Sequence, residues 1–307
     1  MGGALTWNRV PCVLLPGAGA SHDGEDSMKI MTIYAHPADT ITNCGGTLAR
    51  HAARGDQIVA LILSHGGRIH ANKYAEEWRK ENPDGDIATA GLDDIVANKK
   101  GELERAAEII GIGEIITLDH EDTYATVNEE VVEEIAERIA LEQPEIVICD
   151  HPRNPAYFDP HSVATQMALA ALSRAGTYLR NLDGRDDVPV RQVFLSGLPV
   201  YNLDGLSLGG VRNDCYVDIT EVVGTKLAAM DQFVSQGYHG VFARKLVESF
   251  NGEAGRAAGV NFAEAYVRLY NETYSHLPVT EAALATDPLT RHITYSSVNL
   301  RGQYPVP

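Results

Sequence analysis

From Met28 onward, short runs dense in aliphatic and β-branched residues alternate with longer runs whose apolar positions recur at helical spacing. KIMTIYA (Lys29 to Ala35), QIVALILS (Gln57 to Ser64), EIITL (Glu114 to Leu118), EIVICD (Glu145 to Asp150) and RQVFLSG (Arg191 to Gly197) read as five buried strands. Between them, GGTLARHAARG (Gly45 to Gly55), NKKGELERAAEIIGI (Asn98 to Ile112), NEEVVEEIAERIALEQ (Asn128 to Gln143) and SVATQMALAALSRAG (Ser162 to Gly176) read as helices. In the second of these, Leu103, Ala106, Ala107 and Ile110 share one apolar face. The polar stretch from His65 to about Asp94 is too long for a plain connection and reads as a functional loop, with a short helix near Glu76 to Lys80. Further on, the pattern predicts a helix over Thr225 to Ser235 and a looser helical region from Val241 to Tyr270.

Strands alternating with helices imply right-handed βαβ units and therefore an α/β fold with a mostly parallel, Rossmann-like sheet. The expected strand order is 3-2-1-4-5, with helices on both faces and a mixed C-terminal extension. One catalytic domain is expected over residues 28–307, the part from about residue 200 forming the extension packed on the sheet. Ligands of such sheets bind beyond the carboxyl ends of the strands, where the strand order reverses. In this order strands one and four are neighbours there, so the loops after Ala35 and after Asp150 are expected to meet.

Charge narrows the range of partners. The 42 acidic residues outnumber 25 Lys and Arg, for a net charge of −17. That balance argues against nucleic acid and against an anionic membrane surface, both of which need clustered basic residues. A small-molecule substrate and a homo-oligomeric assembly are expected instead. The four cysteines (Cys12, Cys44, Cys149 and Cys215) form no CxxC pair, so neither a disulfide framework nor a thiolate zinc site is indicated, and a reducing cytoplasm fits. Residues Met1 to Ser27 read as a leader or as an over-extended N-terminus, with Met28 a natural start before the first strand. Gly45 and Gly46 belong to no phosphate loop, as GxGxxG and GxxxxGK[ST] are both absent, and no nucleotide cofactor is expected.

The two loops predicted to meet carry the densest chemistry in the chain. In AHPADTITNCGGTLARH (Ala35 to His51), His36 and Asp39 stand three apart straight after a strand, in a turn stiffened by Pro37. In DHPRNPAYFDPHSVATQMALAA (Asp150 to Ala171), His151 and His161 are available, with Asp150 and Asp159 able to orient an imidazole. Imidazole and carboxylate are natural zinc ligands, and a catalytic zinc site needs three of them with a fourth position open. The loop after the second strand adds His65, Arg68 and His70. A histidine near its usual pKa suits acid/base work, and Arg68 has the planar fork that grips a carboxylate.

HPAD followed by GGT, then PHSVA after the fourth strand, resembles the PIG-L (LmbE-like) family of zinc enzymes. KKGELERAAEIIGI, LDHEDTY, VDITEVVGTKLAAM and GRAAGVNFAEAY continue the resemblance, which runs from about Lys29 to Tyr270. It implies a Rossmann-like fold, de-N-acetylase chemistry on sugar-like amides, and one zinc ion per chain (or another divalent transition metal) held by His36, Asp39 and His161. Asp122, with His120 beside it, matches a substrate-contacting position of the family.

Two positions depart from the family pattern. Deacetylases of the family usually read HPDD, the first Asp serving as general base, and here that position is Ala38. They also commonly place a His three residues before the last ligand to stabilise the oxyanion, and here that position is Phe158. The 4-oxalomesaconate hydratase branch also carries Ala at the base position, but its acid/base Glu falls at Gly67 of SHGGRIH. The expectation is a zinc-dependent hydrolase of a small N-acyl or amide substrate acting through zinc-bound water. His65 and His151 are the catalytic candidates, and Arg68, His70 and Asp122 the substrate-binding ones. The alternatives are a zinc-dependent hydratase of an unsaturated carboxylate, and a catalytically impaired or engineered Asp-to-Ala variant.

Overall fold

The computed structural model describes residues 27–70, 72–77, 79–122, 126–152, 159–183, 190–197, 212–285 and 287. Cys12, Phe158 and all of residues 1–26 fall outside them. In chain order the elements are β1 (Lys29–Tyr34), α1 (Asp39–Arg54), β2 (Gln57–Ser64), α2 (Asn72–Glu77), α3 (Gly85–Ala88), α4 (Leu92–Ile110), β3 (Glu114–His120), α5 (Glu129–Glu142), β4 (Ile146–Asp150), α6 (Asp159–Asp183) and β5 (Gln192–Ser196). There follow β6 (Cys215–Asp218), α7 (Val223–Met230), α8 (Gly240–Leu246), α9 (Glu253–Ala258), β7 (Ala263–Arg268) and α10 (Glu281–Ala285).

The sheet order is β3-β2-β1-β4-β5-β7-β6. The first five strands run parallel, with Ile30 level with Ile58 on one side and Ile146 on the other. β7 joins β5 antiparallel and β6 joins β7 antiparallel. Strand residues alternate between two cores, as the two-residue period of a strand requires. Ile30, Tyr34, Ile58, Ala60 and Ile62 face α1, α4 and α7, while Met31, Ile33, Val59, Leu61 and Leu63 face α5 and α6. Both faces of the central strands are covered, which is why these runs read as continuously apolar. β1 and β4 are adjacent, so the chain reverses its winding between them and the loops that follow Tyr34 and Asp150 open at one end of the sheet.

Several boundaries differ from the sequence pattern, each for a local reason. α1 begins at Asp39 rather than Gly45, because the Asp39 carboxylate accepts the His36 N–H (2.8 Å) and starts the helix on the turn itself. Gly45 and Gly46 are therefore inside the helix; a Cβ on Gly46 would stand 2.8 Å from the Ile219 side chain. α4 starts at Leu92, where Asp94 accepts the Gly91 N–H (3.1 Å). The helix predicted over Thr225 to Ser235 ends at Met230, where Asp231 accepts the Gly240 N–H (2.8 Å) and turns the chain. The helical region predicted from Val241 to Tyr270 ends in a strand, β7, and β6 was not predicted at all.

β7 was hidden by a buried charge. Glu264 on β7 and Lys226 on α7 form an ion pair (2.6 Å) with both side chains sealed from solvent. Glu264 also accepts the Gly46 and Thr47 N–H groups (2.9 and 2.7 Å), and Lys226 donates to the Thr42 carbonyl (2.8 Å). The pair thus engages the carbonyl and amide that stand four residues apart on α1, the helix that carries Asp39. Removing one partner of a buried pair leaves the other charge uncompensated, at a cost of about 3–5 kcal/mol. Lys226→Met is therefore expected to lower the unfolding free energy by that amount, seen as a lower urea midpoint at unchanged m-value; a loss below about 1 kcal/mol, the scale of an exposed pair, would contradict this role.

Candidate metal centre

At the carboxyl end of β1 the chain turns through His36, Pro37 and Ala38 directly into α1, and the backbone fixes the first two donors. His36 is 5% exposed, and its own amide holds the Asp39 carboxylate. The third donor comes from the neighbouring connection, where His161 stands in the first turn of α6 rather than just before it. The three reach one point. His36 Nδ1 is 3.1 Å from His161 Nε2 and 3.3 Å from Asp39 Oδ2, and His161 Nε2 is 3.4 Å from Asp39 Oδ2.

Three lone-pair donors this close repel one another unless protons or a cation lie between them. Ligands about 2.0–2.1 Å from a tetrahedral zinc stand about 3.3 Å apart, so the donor triangle fits such an ion without rearrangement. Charge at the site is already polarised. Burial works against ionising Asp39, yet His161 and His36 outweigh it and hold the carboxyl at a pKa of about 2. Burial also opposes protonation of His36, and the Asp39 carboxylate reverses that balance, raising its pKa. Of the remaining ring nitrogens, His161 Nδ1 is buried with no hydrogen-bond partner among the described residues, and the buried His36 ring lies close enough to the Asp122 backbone for it to favour protonation.

Beneath the triangle lies Asp150, at the end of β4, whose pKa is pushed well above the usual carboxylate range by burial first and by the Asp39 charge second. Its Oδ1 accepts from Asn43 Nδ2 (3.1 Å) on α1, so it ties α1 to β4 rather than reaching an imidazole through that atom. His151 follows, buried, with its backbone N–H donating to the Ser196 carbonyl (2.7 Å). The side chain of Asp159 lies outside the description, as does Phe158. Ala38 is buried at the start of α1 and brings no polar group to the centre.

The loop after β2 is held from both sides. Asp122, expected to touch substrate, has no exposed surface; its two carboxylate oxygens accept the Gly66 and Arg68 N–H groups, each at 2.5 Å. It shapes the loop and has no surface left for a ligand. Lys99 on α4 donates to the Gly66 and Ile69 carbonyls from below, and burial pushes its pKa down to about 8. His65 Nδ1 accepts the Gly67 N–H (2.9 Å), so a neutral His65 carries its proton on Nε2, the atom 3.6 Å from Glu121. Arg68 is exposed and donates to Glu121 (2.6 Å). His65, Glu121 and Asp122 form a second cluster of donors, but the Gly67 amide takes the single lone pair of His65 Nδ1 and Arg68 pairs with Glu121. Glu77 is spent on the loop itself, accepting from the Asp84 N–H and from Lys80, and His120 pairs with Glu134 (2.8 Å).

His70 reaches a residue that the sequence pattern did not flag. Its Nε2 is 3.3 Å from the Tyr238 hydroxyl, a pairing across 168 residues that no local signal announces. Desolvation holds the His70 imidazole below its ordinary pKa; the Asp39 charge opposes this, while Lys99, His36 and His161 add to it.

Among the described residues no helix is long and apolar enough to cross a membrane. Residues 31–172 match the family model described as PIG-L: GlcNAc-PI de-N-acetylase. The chain is 29% identical over 213 residues to the diacetylchitobiose deacetylase of Thermococcus kodakarensis, covering 69% of this chain and 71% of that protein. It is 25% identical over 239 residues to the 4-oxalmesaconate hydratase of Pseudomonas putida, covering 77% and 85%. Its fold is similar to that of the N,N'-diacetylchitobiose deacetylase of Pyrococcus horikoshii, with a TM-score of 0.64 at 19% identity over 80% of this chain and 84% of that one.

Proposed function

We propose that this chain, which carries a PIG-L family domain over residues 31–172, is a zinc-dependent hydrolase of a small N-acyl or amide substrate, working in the cytoplasm. The observation that carries the reading is the convergence of His36 Nδ1, Asp39 Oδ2 and His161 Nε2 at 3.1–3.4 Å from two separate loops. A zinc ion held there supplies Lewis-acid polarisation of a carbonyl and lowers the pKa of water to roughly 7. The chain's own residues do the rest. The His36 amide keeps the Asp39 carboxylate aimed at the centre, and burial keeps competing water away. His65 presents the N–H of Nε2, the nitrogen left free of the Gly67 amide, as a hydrogen-bond donor that can orient the polar end of the substrate. Arg68 stands exposed at the rim, where a substrate carboxylate can displace Glu121 from its guanidinium. Incubation of the zinc-loaded protein with N-acetyl sugars and N-acyl amino acids is expected to release acetate or the matching acid; no release from any of them would count heavily against the reading.

Ala38 favours a second reading, a zinc-dependent hydratase that adds water to an unsaturated carboxylate, in keeping with the 25% identity to 4-oxalmesaconate hydratase. Position 67 weighs against it. A Cβ on Gly67 would stand 2.6 Å from Leu92 and 2.9 Å from Val96, so an acid/base Glu there would force both side chains to shift, and the glycine present brings no carboxylate. Loss of conjugated-diene absorbance on adding unsaturated dicarboxylates would favour the hydratase, and a flat trace the hydrolase.

A further inference from the structure

Resting on the hydrolase reading, we infer that the Tyr238 hydroxyl is a catalytic hydrogen-bond donor to the substrate carbonyl oxygen, and that His70 is the residue that positions it.

Two buried anchors on one helix bring the pair together. Lys99 on α4 donates to the Gly66 and Ile69 carbonyls and so fixes the segment that ends at His70. One turn further along α4, Glu102 accepts the Ser235 N–H (2.7 Å), the Ser235 hydroxyl (2.9 Å) and the Gln236 amide (3.2 Å), fixing the turn that leads to Tyr238. Lys73 N–H donates to the Ser235 carbonyl (3.0 Å) and closes the arrangement. The rings then meet edge to face, with centroids 5.4 Å apart and planes at 64°.

His70 takes up this position at a conformational cost. Its φ of 51° lies in the left-handed region, which a non-glycine residue keeps only where its surroundings over-determine it. The loop that leads to His70 packs on the turn between His36 and Asp39, where a Cβ on Gly66 would stand 2.6 Å from Pro37, and the Asp39 charge bears on both rings. Desolvation first and the Asp39 charge second raise the Tyr238 pKa, so the phenol keeps its proton at neutral pH. With the His70 proton on Nε2, that N–H donates to the phenolic oxygen and leaves the phenol's own O–H for the substrate. As water adds to an amide carbon, charge gathers on the carbonyl oxygen, and a preset O–H donor stabilises that charge more than it does the ground state. Tyr238 donates a hydrogen bond and transfers no proton. No other donor of this kind faces the centre from position 38, where the side chain is a methyl group.

The test uses the zinc-loaded full chain and an N-acetyl compound from which it releases acetate. Tyr238→Phe is expected to lower kcat about 100-fold, with KM within about twofold and zinc content unchanged. His70→Asn, which tolerates the left-handed backbone, is expected to lower kcat about 10-fold, and the double variant to fall no further than Tyr238→Phe alone, as partners acting as one unit do. A Tyr238→Phe protein with kcat within about twofold of the parent would overturn the inference, as would losses that multiply in the double variant or a loss of zinc. These outcomes separate from failure of the underlying reading. A parent protein that holds zinc but releases no acid from any amide sinks the hydrolase and this inference together, whereas an active parent with an unaffected Tyr238→Phe sinks this inference alone.

Discussion

Replacing His36 with Ala is expected to strip the protein of its metal and reduce acetate release to the background rate. The substitution removes Nδ1, one of three donors that stand 3.1–3.4 Å apart, and leaves Asp39 and His161 as a two-point grip. Removing even an outer partner of a metal ligand costs about 10–100-fold in affinity, and removing a ligand outright costs more. His36 also lowers the Asp39 pKa through its ring and its amide, so the remaining carboxylate becomes easier to protonate. Metal analysis after dialysis should give about one zinc per parent chain and close to none for His36→Ala, following the three-ligand requirement of such sites. An undiminished metal content would place the ion somewhere else.

Ala38→Asp is expected to act in the opposite direction, raising amide hydrolysis by about 10²–10⁴-fold, the usual worth of a general base. Ala38 caps α1 at φ −80° and ψ −19°, an ordinary right-handed conformation that Asp also adopts. The first turn of a helix favours a negative charge, which offsets part of the cost of a carboxylate beside Asp39. The site is 3% exposed, so the new group would sit in a low-dielectric setting where its pKa rises toward neutrality, as suits a base. Comparing kcat/KM for acetate release in the two proteins measures this directly. A large gain also fits an impaired or engineered parent, while loss of a native activity would assign Ala38 to a different mechanism, the hydratase foremost. An unchanged rate on every amide would contradict the account of the missing base.

The meeting of the two loops was legible in the sequence because it follows from topology. Once alternating strands and helices imply the order 3-2-1-4-5, the loops after β1 and β4 have to meet, while the choice of His161 over His151 as the donor beside His36 and Asp39 came from the family resemblance. The strands were legible for the same reason, since buried parallel strands leave continuous apolar runs. What stayed hidden depends on contacts that cross the chain. β7 carries Glu264 facing inward, and Lys226 with the Gly46 and Thr47 amides, all on other elements, makes that placement tolerable. Asp122 matches a substrate-contacting position of the family, and nothing in LDHEDTY shows that it is buried and accepts the Gly66 and Arg68 amides. His65 reads as a free imidazole, although the Gly67 amide fixes its tautomer. Tyr238 had no local signal of any kind, and its one distant clue is the pair of buried polar residues on α4, Lys99 and Glu102, one turn apart on a helix whose neighbours Leu103, Ala106 and Ala107 are apolar core.

Crystals of the zinc-loaded protein measured at the zinc absorption edge give the most direct test. The anomalous difference map should show a single strong peak about 2.0–2.2 Å from His36 Nδ1, Asp39 Oδ2 and His161 Nε2. A map without a peak there, or with its peak at His65, Glu121 and Asp122, would contradict the account.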